Sequence, residues 1–332
     1  MTVLLAGCGY WGKNWANCLS NLNELGAICE PETALHQDLK QAYPGTPVYA
    51  DLNEALRHPG IDAVVLATPV ATHFQLAAAC LKAGFPVLAE KPLTLDPKEA
   101  HDLAALAKKQ RRVLAVGHLL LYHPGVVVIK AMIGRGELGD VLAVQCTRVN
   151  LGKIRNEESV WWSLAPHDLS VISYLLDEPL SVTTADKFNL LKRQAIEDAV
   201  SVTLETPSGK RGKIDVSWLS PYKKHETIVT GTQKIVVLND TLPPGQKLSV
   251  YDYALERHGE SVENVVKSEV QYVALDISRD PLTQQAEAFL ASVRNGTPLC
   301  NDAENAVRVV ELLDDVQRRL NRKNSRKALA AV

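Results

Sequence analysis

Short apolar runs alternate with helical patterns over the first 118 residues. Val3–Ala6 is apolar and opens into Gly7-Cys8-Gly9-Tyr10-Trp11-Gly12, and helical spacing follows over about 13–25. Residues 27–29 read as a second strand that ends at Glu30. Helical patterns cover about 33–43 and 51–58, and 63–67 is a fully apolar strand followed by Thr68-Pro69. Thr72 is placed to cap a helix running to Lys82, with Gly84 as its left-handed stop. A strand at 86–89 leads into Glu90-Lys91-Pro92. Asp96-Pro97-Lys98-Glu99 then supplies an N-cap, a proline at the first helical position and an acid in the first turn. The next strand is 113–116. Fully apolar strands need cover on both faces, so this alternation predicts a doubly wound parallel sheet.

Beyond residue 118 the pattern changes. Pro124–Gly134 and about 165–176 are helical, and β-branched residues cluster into strands at about 141–149, 180–189, 198–206, 211–219, 225–231, 234–238 and 248–253. Pro207-Ser208-Gly209 is a hairpin turn. Helices at about 281–294 and 302–320 follow, the last capped by Asn301-Asp302. The fold expected is α/β: a parallel, doubly wound N-terminal domain over 1–118, then an α+β domain over 119–332 with a large, mostly antiparallel open sheet.

The 332 residues suit two domains. Lys and Arg total 36 and Asp and Glu 38, a net charge of -2, which gives no global reason to bind nucleic acid or an anionic membrane. The cations of 318–327 suit a helix C-terminus through its dipole, and no aromatic residue accompanies them. Six cysteines without a CxxC pair point to reduced thiols and a cytoplasmic protein. The N-terminal run is too short for a signal peptide, and no stretch approaches the ~20 apolar residues of a membrane span. Cys and His are too scattered for a metal site.

The glycine loop follows a strand and precedes a helix, and Glu30 lies 21 positions after Gly9. That context marks a dinucleotide-binding Rossmann fingerprint rather than a bare glycine turn. Gly7 permits the tight turn, Gly9 lets backbone approach a pyrophosphate, and Gly12 lets helix and strand pack closely. Glu30 can accept from ribose hydroxyls; with Glu32 near and no Arg beside it, a 2′-phosphate is repelled, which favours NAD over NADP.

These markers, with Ala67-Thr68-Pro69, Thr72-His73, Ala89-Glu90-Lys91-Pro92-Leu93, Ser217-Trp218 and Gly231-Thr232, resemble the Gfo/Idh/MocA family of NAD(P)-dependent sugar oxidoreductases. Gly117-His118-Leu119-Leu120, Tyr122-His123-Pro124, the segment 150–155 and the segment 162–168 are most similar to its UDP-N-acetylglucosaminuronate 3-dehydrogenases of WlbA/WbpB type. Such enzymes oxidise the sugar C3 hydroxyl in surface polysaccharide synthesis. The resemblance implies cofactor contacts from Tyr10, Trp11, Thr68, Pro69, His73, Glu90, Lys91 and His118, and a homodimer or homotetramer.

Hydride abstraction from a secondary alcohol needs a base for the hydroxyl proton. Lys91 closes a parallel strand at the end where such sheets bind ligands, and the resemblance puts it beside the reacting carbon. Burial and a positive nicotinamide ring lower a lysine's pKa toward usefulness. An unperturbed imidazole titrates near neutrality, which makes His167 the second candidate base, at the start of a helix in the second domain. Where many relatives pair an Asp with this His, the chain has Ser163, which leaves the division of labour open. Asn150, Lys153 and Arg155 offer two cations and an amide to a carboxylate or diphosphate, with Asp168 beside His167 as a further substrate contact. A solvated loop and a structural histidine are the competing readings. The expected function is NAD-dependent oxidation of a UDP-linked sugar acid. The alternatives are a dehydrogenase or ketoreductase of a free, inositol-type polyol or deoxysugar, and a non-catalytic NAD-binding regulator.

Overall fold

A computed structural model of the chain describes residues 1–152, 154, 158–189, 191, 196–258 and 261–329, with 254–258, 261–265 and 323–329 described by their backbone alone. The chain divides into two compact units. The first comprises residues 1–119 and 280–310, and the second 120–279 and 311–332.

The first unit is built on six parallel strands: β1 (Val3–Ala6), β2 (Leu25–Cys29), β3 (Val48–Tyr49), β4 (Ala63–Leu66), β5 (Val87–Ala89) and β6 (Leu114–Val116). Their order is β3-β2-β1-β4-β5-β6, so the sequence reverses direction at β1, where β4 pairs on its other side. Helices α1 (Gly12–Asn21), α2 (His36–Ala42), α3 (Leu52–Ala55), α4 (Val70–Lys82) and α5 (Pro97–Gln110) connect them. The predicted caps hold for α5, where Asp96 accepts from the Lys98 N–H at 2.8 Å, and after α4, where Gly84 has φ +88°. Thr72 lies inside α4, which starts two residues earlier behind Pro69.

The strands are apolar on both faces because both are covered. Leu4, Ala6, Val64 and Leu66 pack with α4 and α5, while Val3, Leu5, Val65 and Leu88 pack with Trp15, Ala16 and Leu19 of α1.

The second unit holds α6 (Pro124–Gly134), β7 (Val141–Leu151), α7 (Val160–Leu176), β8 (Ser181–Phe188), β9 (Ala199–Glu205), β10 (Arg211–Ser217), β11 (Leu219–Gly231), β12 (Lys234–Asn239), β13 (Leu248–His258), β14 (Ser261–Val266) and β15 (Gln271–Val273). Among the described residues, nine strands form one sheet in the order β14-β13-β12-β11-β7-β10-β9-β8, with β15 against β13. All pairs are antiparallel except β7 with β10. The β9–β10 hairpin turns through Gly209 at φ +88°, as its Pro-Ser-Gly sequence predicts. Helix α7 starts at Val160, earlier than the sequence suggests. Ser159 caps it and Pro166 sits inside it, whereas a proline normally marks a first turn.

Helix α8 (Pro281–Asn295) and the first residues of α9 (Ala303–Leu329) belong to the first unit, not to the second as the sequence suggests. Ala286, Phe289 and Leu290 of α8 join the cluster under α1, and Ala306, Val307 and Val310 join the cluster on the opposite face. Asp302 caps α9 by accepting from the Asn305 N–H at 2.9 Å.

Candidate active site

The glycine loop links β1 to α1 and has the shape a diphosphate requires. Gly7 has φ +86°, and a Cβ at Gly12 would sit 2.2 Å from the Gly7 carbonyl oxygen. Both positions therefore exclude a side chain. A Cβ at Gly9 would meet nothing within 4 Å, so this glycine leaves open space over the loop. The loop leads into the N-terminus of α1, where the helix dipole favours an anion, although the Lys13 and Asn14 N–H groups already donate to the Gly9 and Trp11 carbonyls at 3.1 and 2.9 Å. Tyr10 is 91% exposed beside it. Glu30 is buried at the end of β2; Oε2 accepts from the Cys8 N–H at 2.7 Å and Oε1 from the Glu32 N–H at 3.0 Å. Each oxygen keeps a lone pair for a ribose hydroxyl. These residues fit a dinucleotide. Burial, then Glu30, pushes the Cys8 thiol up to about 11, so it is no nucleophile.

Glu90 closes β5 and faces inward. Its Oε1 accepts from the Trp11 indole at 2.5 Å and from the Trp15 indole at 2.7 Å, and Oε2 accepts from the Lys91 N–H at 3.1 Å. A Cβ at Gly117 would lie 2.8 Å from Oε2. Burial raises the carboxyl pKa, and the indole donors and Lys91 oppose that rise. Lys91 follows, with a cis bond to Pro92.

Two histidines brace this region from inside. His73 lies between the Thr68 carbonyl at 2.9 Å and the Pro92 carbonyl at 3.0 Å, tying the turn after β4 to the turn after β5. Burial lowers its pKa against those carbonyl contacts. Thr68 also accepts from the Thr72 hydroxyl at 2.9 Å. His118 is buried after β6, where its Nδ1 donates to Asn305 Oδ1 at 2.7 Å and burial holds it down to about 4. Lone-pair-bearing Nε2 has no hydrogen-bond partner among the described residues. Both rings are 1% exposed. They shape the loops of the first unit from beneath, a role the sequence does not distinguish from ligand contact.

In the second unit, His167 is the eighth residue of α7 rather than near its start, and its carbonyl accepts from Ser170 Oγ at 2.7 Å. Ser163 is buried one turn earlier. The neighbouring Asp168 is committed elsewhere: Arg148 of β7 donates from Nε to both its oxygens at 3.1 Å and from Nη2 to Oδ1 at 2.8 Å. Arg148 has no sequence signature, being one cation in an eleven-residue strand. His225 lies opposite Arg148 across the β7–β11 pair; burial first, then Arg148 and Lys223, hold it down to about 4. His123 caps α6 by accepting from the Gly125 N–H, and its Nε2 lies 3.4 Å from Asp240. Asn150 stands one residue before the end of β7. Lys153 and Arg155 lie outside the described residues. On α9, Arg318 and Arg319 pair with Asp314 and Asp315 one turn earlier, as on a solvated helix face.

Among the described residues no three His, Cys, Asp or Glu side chains gather as a metal site, and no helix is long and apolar enough to cross a membrane.

Residues 1–118 match the model of an oxidoreductase family with an NAD-binding Rossmann fold, and residues 126–237 match the GFO/IDH/MocA C-terminal domain. An inositol 2-dehydrogenase of Mycolicibacterium smegmatis is 33% identical over 54% of each chain, so the match spans about half the length of that relative. The UDP-N-acetylglucosamine 3-dehydrogenase GnnA of Acidithiobacillus ferrooxidans superposes with a TM-score of 0.83 at 21% identity, covering 96% of this chain and 97% of its own. GenD2 from gentamicin A biosynthesis, solved with NAD, superposes with a TM-score of 0.80 at 27% identity, covering 96% and 93%. From its glycine loop through its large sheet, the chain belongs to the Gfo/Idh/MocA oxidoreductase family.

Proposed function

We propose that the protein is an NAD-dependent dehydrogenase that oxidises the C3 hydroxyl of a UDP-linked sugar acid, of UDP-N-acetylglucosaminuronate type, to the 3-keto sugar. The observation that carries this reading is the placing of Lys91. It follows directly on a buried carboxylate hydrogen-bonded to Trp11 of the glycine loop, so cofactor loop and lysine are parts of one bonded assembly. Bound NAD supplies the hydride acceptor. Glu30 orients the adenosine ribose, and the loop around Gly9 receives the diphosphate. Lys91 would take the proton from the C3 hydroxyl oxygen at Nζ, leaving the C3 hydrogen to the nicotinamide that NAD would supply. His167 serves as the second proton-handling group, and Asn150, Lys153 and Arg155 hold the acidic part of the substrate. Glu30 and Glu32 favour NAD, because a 2′-phosphate would meet carboxylates rather than a guanidinium.

The likeness to inositol 2-dehydrogenases supports a second reading, oxidation of a free polyol. Purified protein with NAD and either UDP-N-acetylglucosaminuronate or myo-inositol separates the two. Reduced nicotinamide should accumulate with the UDP-sugar and be lost in Lys91→Met. Turnover of myo-inositol alone assigns the second reading, and turnover of neither favours the regulator. We also place the protein in the cytoplasm as a homodimer or homotetramer. Its cysteines form no disulfide among the described residues, and exposed Leu151 and Tyr222 leave apolar area on the sheet for a second copy to cover.

A further inference from the structure

We infer that Glu90 is a positioning residue: its carboxylate fastens the glycine loop to the turn that carries Lys91 and sets the charge that the lysine amine faces, without touching the cofactor. The inference rests on the reading of Lys91 as proton acceptor. Three donors from two segments converge on this carboxylate: the Trp11 and Trp15 indoles and the Lys91 backbone N–H. Indole and backbone N–H groups donate only, so this set suits the ionised form and offers no acceptor to a carboxyl proton. Both indoles converge on one oxygen, and the other is closed in by Lys91 N and by Gly117, where even a methyl group would collide. Glu90 is 8% exposed, and these contacts spend its surface inside the protein.

Trp11 belongs to the loop that holds the diphosphate, and Trp15 lies one helical turn further into α1. One buried side chain therefore joins the binding loop to the reacting lysine. A charge beside an amine also stabilises its ammonium form. Among the described residues of the first unit, His118 after β6 and His73 of α4 also face this turn. Burial keeps His118 uncharged near neutral pH and lowers the pKa of His73. Glu90 is thus an anion coupled to Lys91 that opposes the loss of the lysine's proton.

The test needs no substrate. Trace acetylation of the whole protein with acetic anhydride across a pH series, quantified on the Lys91 peptide by mass spectrometry, gives the titration midpoint of that amine. Glu90→Gln should move the midpoint down by about one pH unit, Glu90→Asp should leave it in place, and NAD affinity should change less than threefold in either. An unmoved midpoint in Glu90→Gln, or a tenfold loss of NAD affinity, overturns the inference. Indole-labelled wild-type protein is the second arm should Glu90→Gln fail to fold. Two low-field indole N–H resonances, assigned by Trp11→Phe and Trp15→Phe, should survive saturation with NAD. Their collapse on NAD binding would show Glu90 released to the cofactor and would overturn the inference. Activity retained in Lys91→Met refutes the proposed function, whereas the acetylation midpoint refutes the role of Glu90 alone.

Discussion

Replacing Arg148 by Met isolates what the buried pair beside His167 contributes. The guanidinium makes a bidentate contact to Asp168, with side-chain exposures of 14% and 3%. Met fills much of the stem's volume, so the main loss is the partner of a buried carboxylate. Breaking a buried pair from one side costs about 3–5 kcal/mol, because the remaining charge is stranded. At ~2–4 °C per kcal/mol for a unit of this size, the melting midpoint should fall by about 6–20 °C. Removing both charges, Arg148→Met with Asp168→Leu, should recover stability to within about 1 kcal/mol of wild type or exceed it. Denaturant unfolding followed by circular dichroism at neutral pH measures all three proteins. Arg148 also helps hold His225 down to about 4, so the single variant should let that imidazole titrate higher in a proton NMR series. A loss below about 1 kcal/mol in Arg148→Met refutes the reasoning. Asp168 would then be solvated and available to a ligand.

Gly9→Ala should melt like wild type, since its Cβ meets no atom, yet lose at least tenfold in NAD affinity by calorimetry; Gly12→Ala should lose fold stability as well, its Cβ colliding with Gly7. His118 is held neutral down to about 4, while an unfolded histidine takes its proton near ~6.5. The unfolded state therefore binds more protons in this window, so stability falls as pH drops from about 6.5 to 4, by roughly 3 kcal/mol from this residue. His118→Asn should flatten that part of the stability–pH curve. Asp96→Ala removes the cap of α5 and should cost about 1 kcal/mol in denaturant unfolding. Arg155→Ala should raise KM for UDP-N-acetylglucosaminuronate at least tenfold while leaving that for myo-inositol within twofold; equal effects on both count against the acidic substrate.

Local signals were legible in the sequence where the chemistry spans a few residues. The caps at Asp96 and Asp302, the left-handed stop at Gly84 and the Pro207-Ser208-Gly209 hairpin all work within one turn of chain. The glycine loop is legible for the same reason. Other features depend on partners far along the chain. Residues 286–290 and 306–310 return to the first unit because Phe289 and Val310 fill the two faces of a sheet made by the first 118 residues. Pro166 misleads about α7, since a helix so largely buried is held by packing and tolerates a proline that a solvated helix would not. Strands β14 and β15 carry mixed polar sequences, and pairing with β13 forms them rather than apolar periodicity. Neither the indole clamp on Glu90 nor the Arg148 fork on Asp168 has a sequence signature, because each joins residues 20 or more positions apart.

Those two contacts share a logic. Each candidate proton-transfer residue is the chain neighbour of a buried carboxylate, Glu90 before Lys91 and Asp168 after His167. In the first unit the carboxylate is held by neutral N–H donors, and the charge it faces is that of the adjacent lysine. In the second unit it is neutralised by a guanidinium, so its field is largely cancelled and its effect is to anchor α7 to β7. The same side-chain chemistry thus sets a charge in one place and fixes a position in the other, and the donor type decides which. A lysine, intrinsically too basic to act at neutral pH, is sensitive to such a neighbouring charge. For His167 the contribution of the neighbouring pair is to hold its helix against β7.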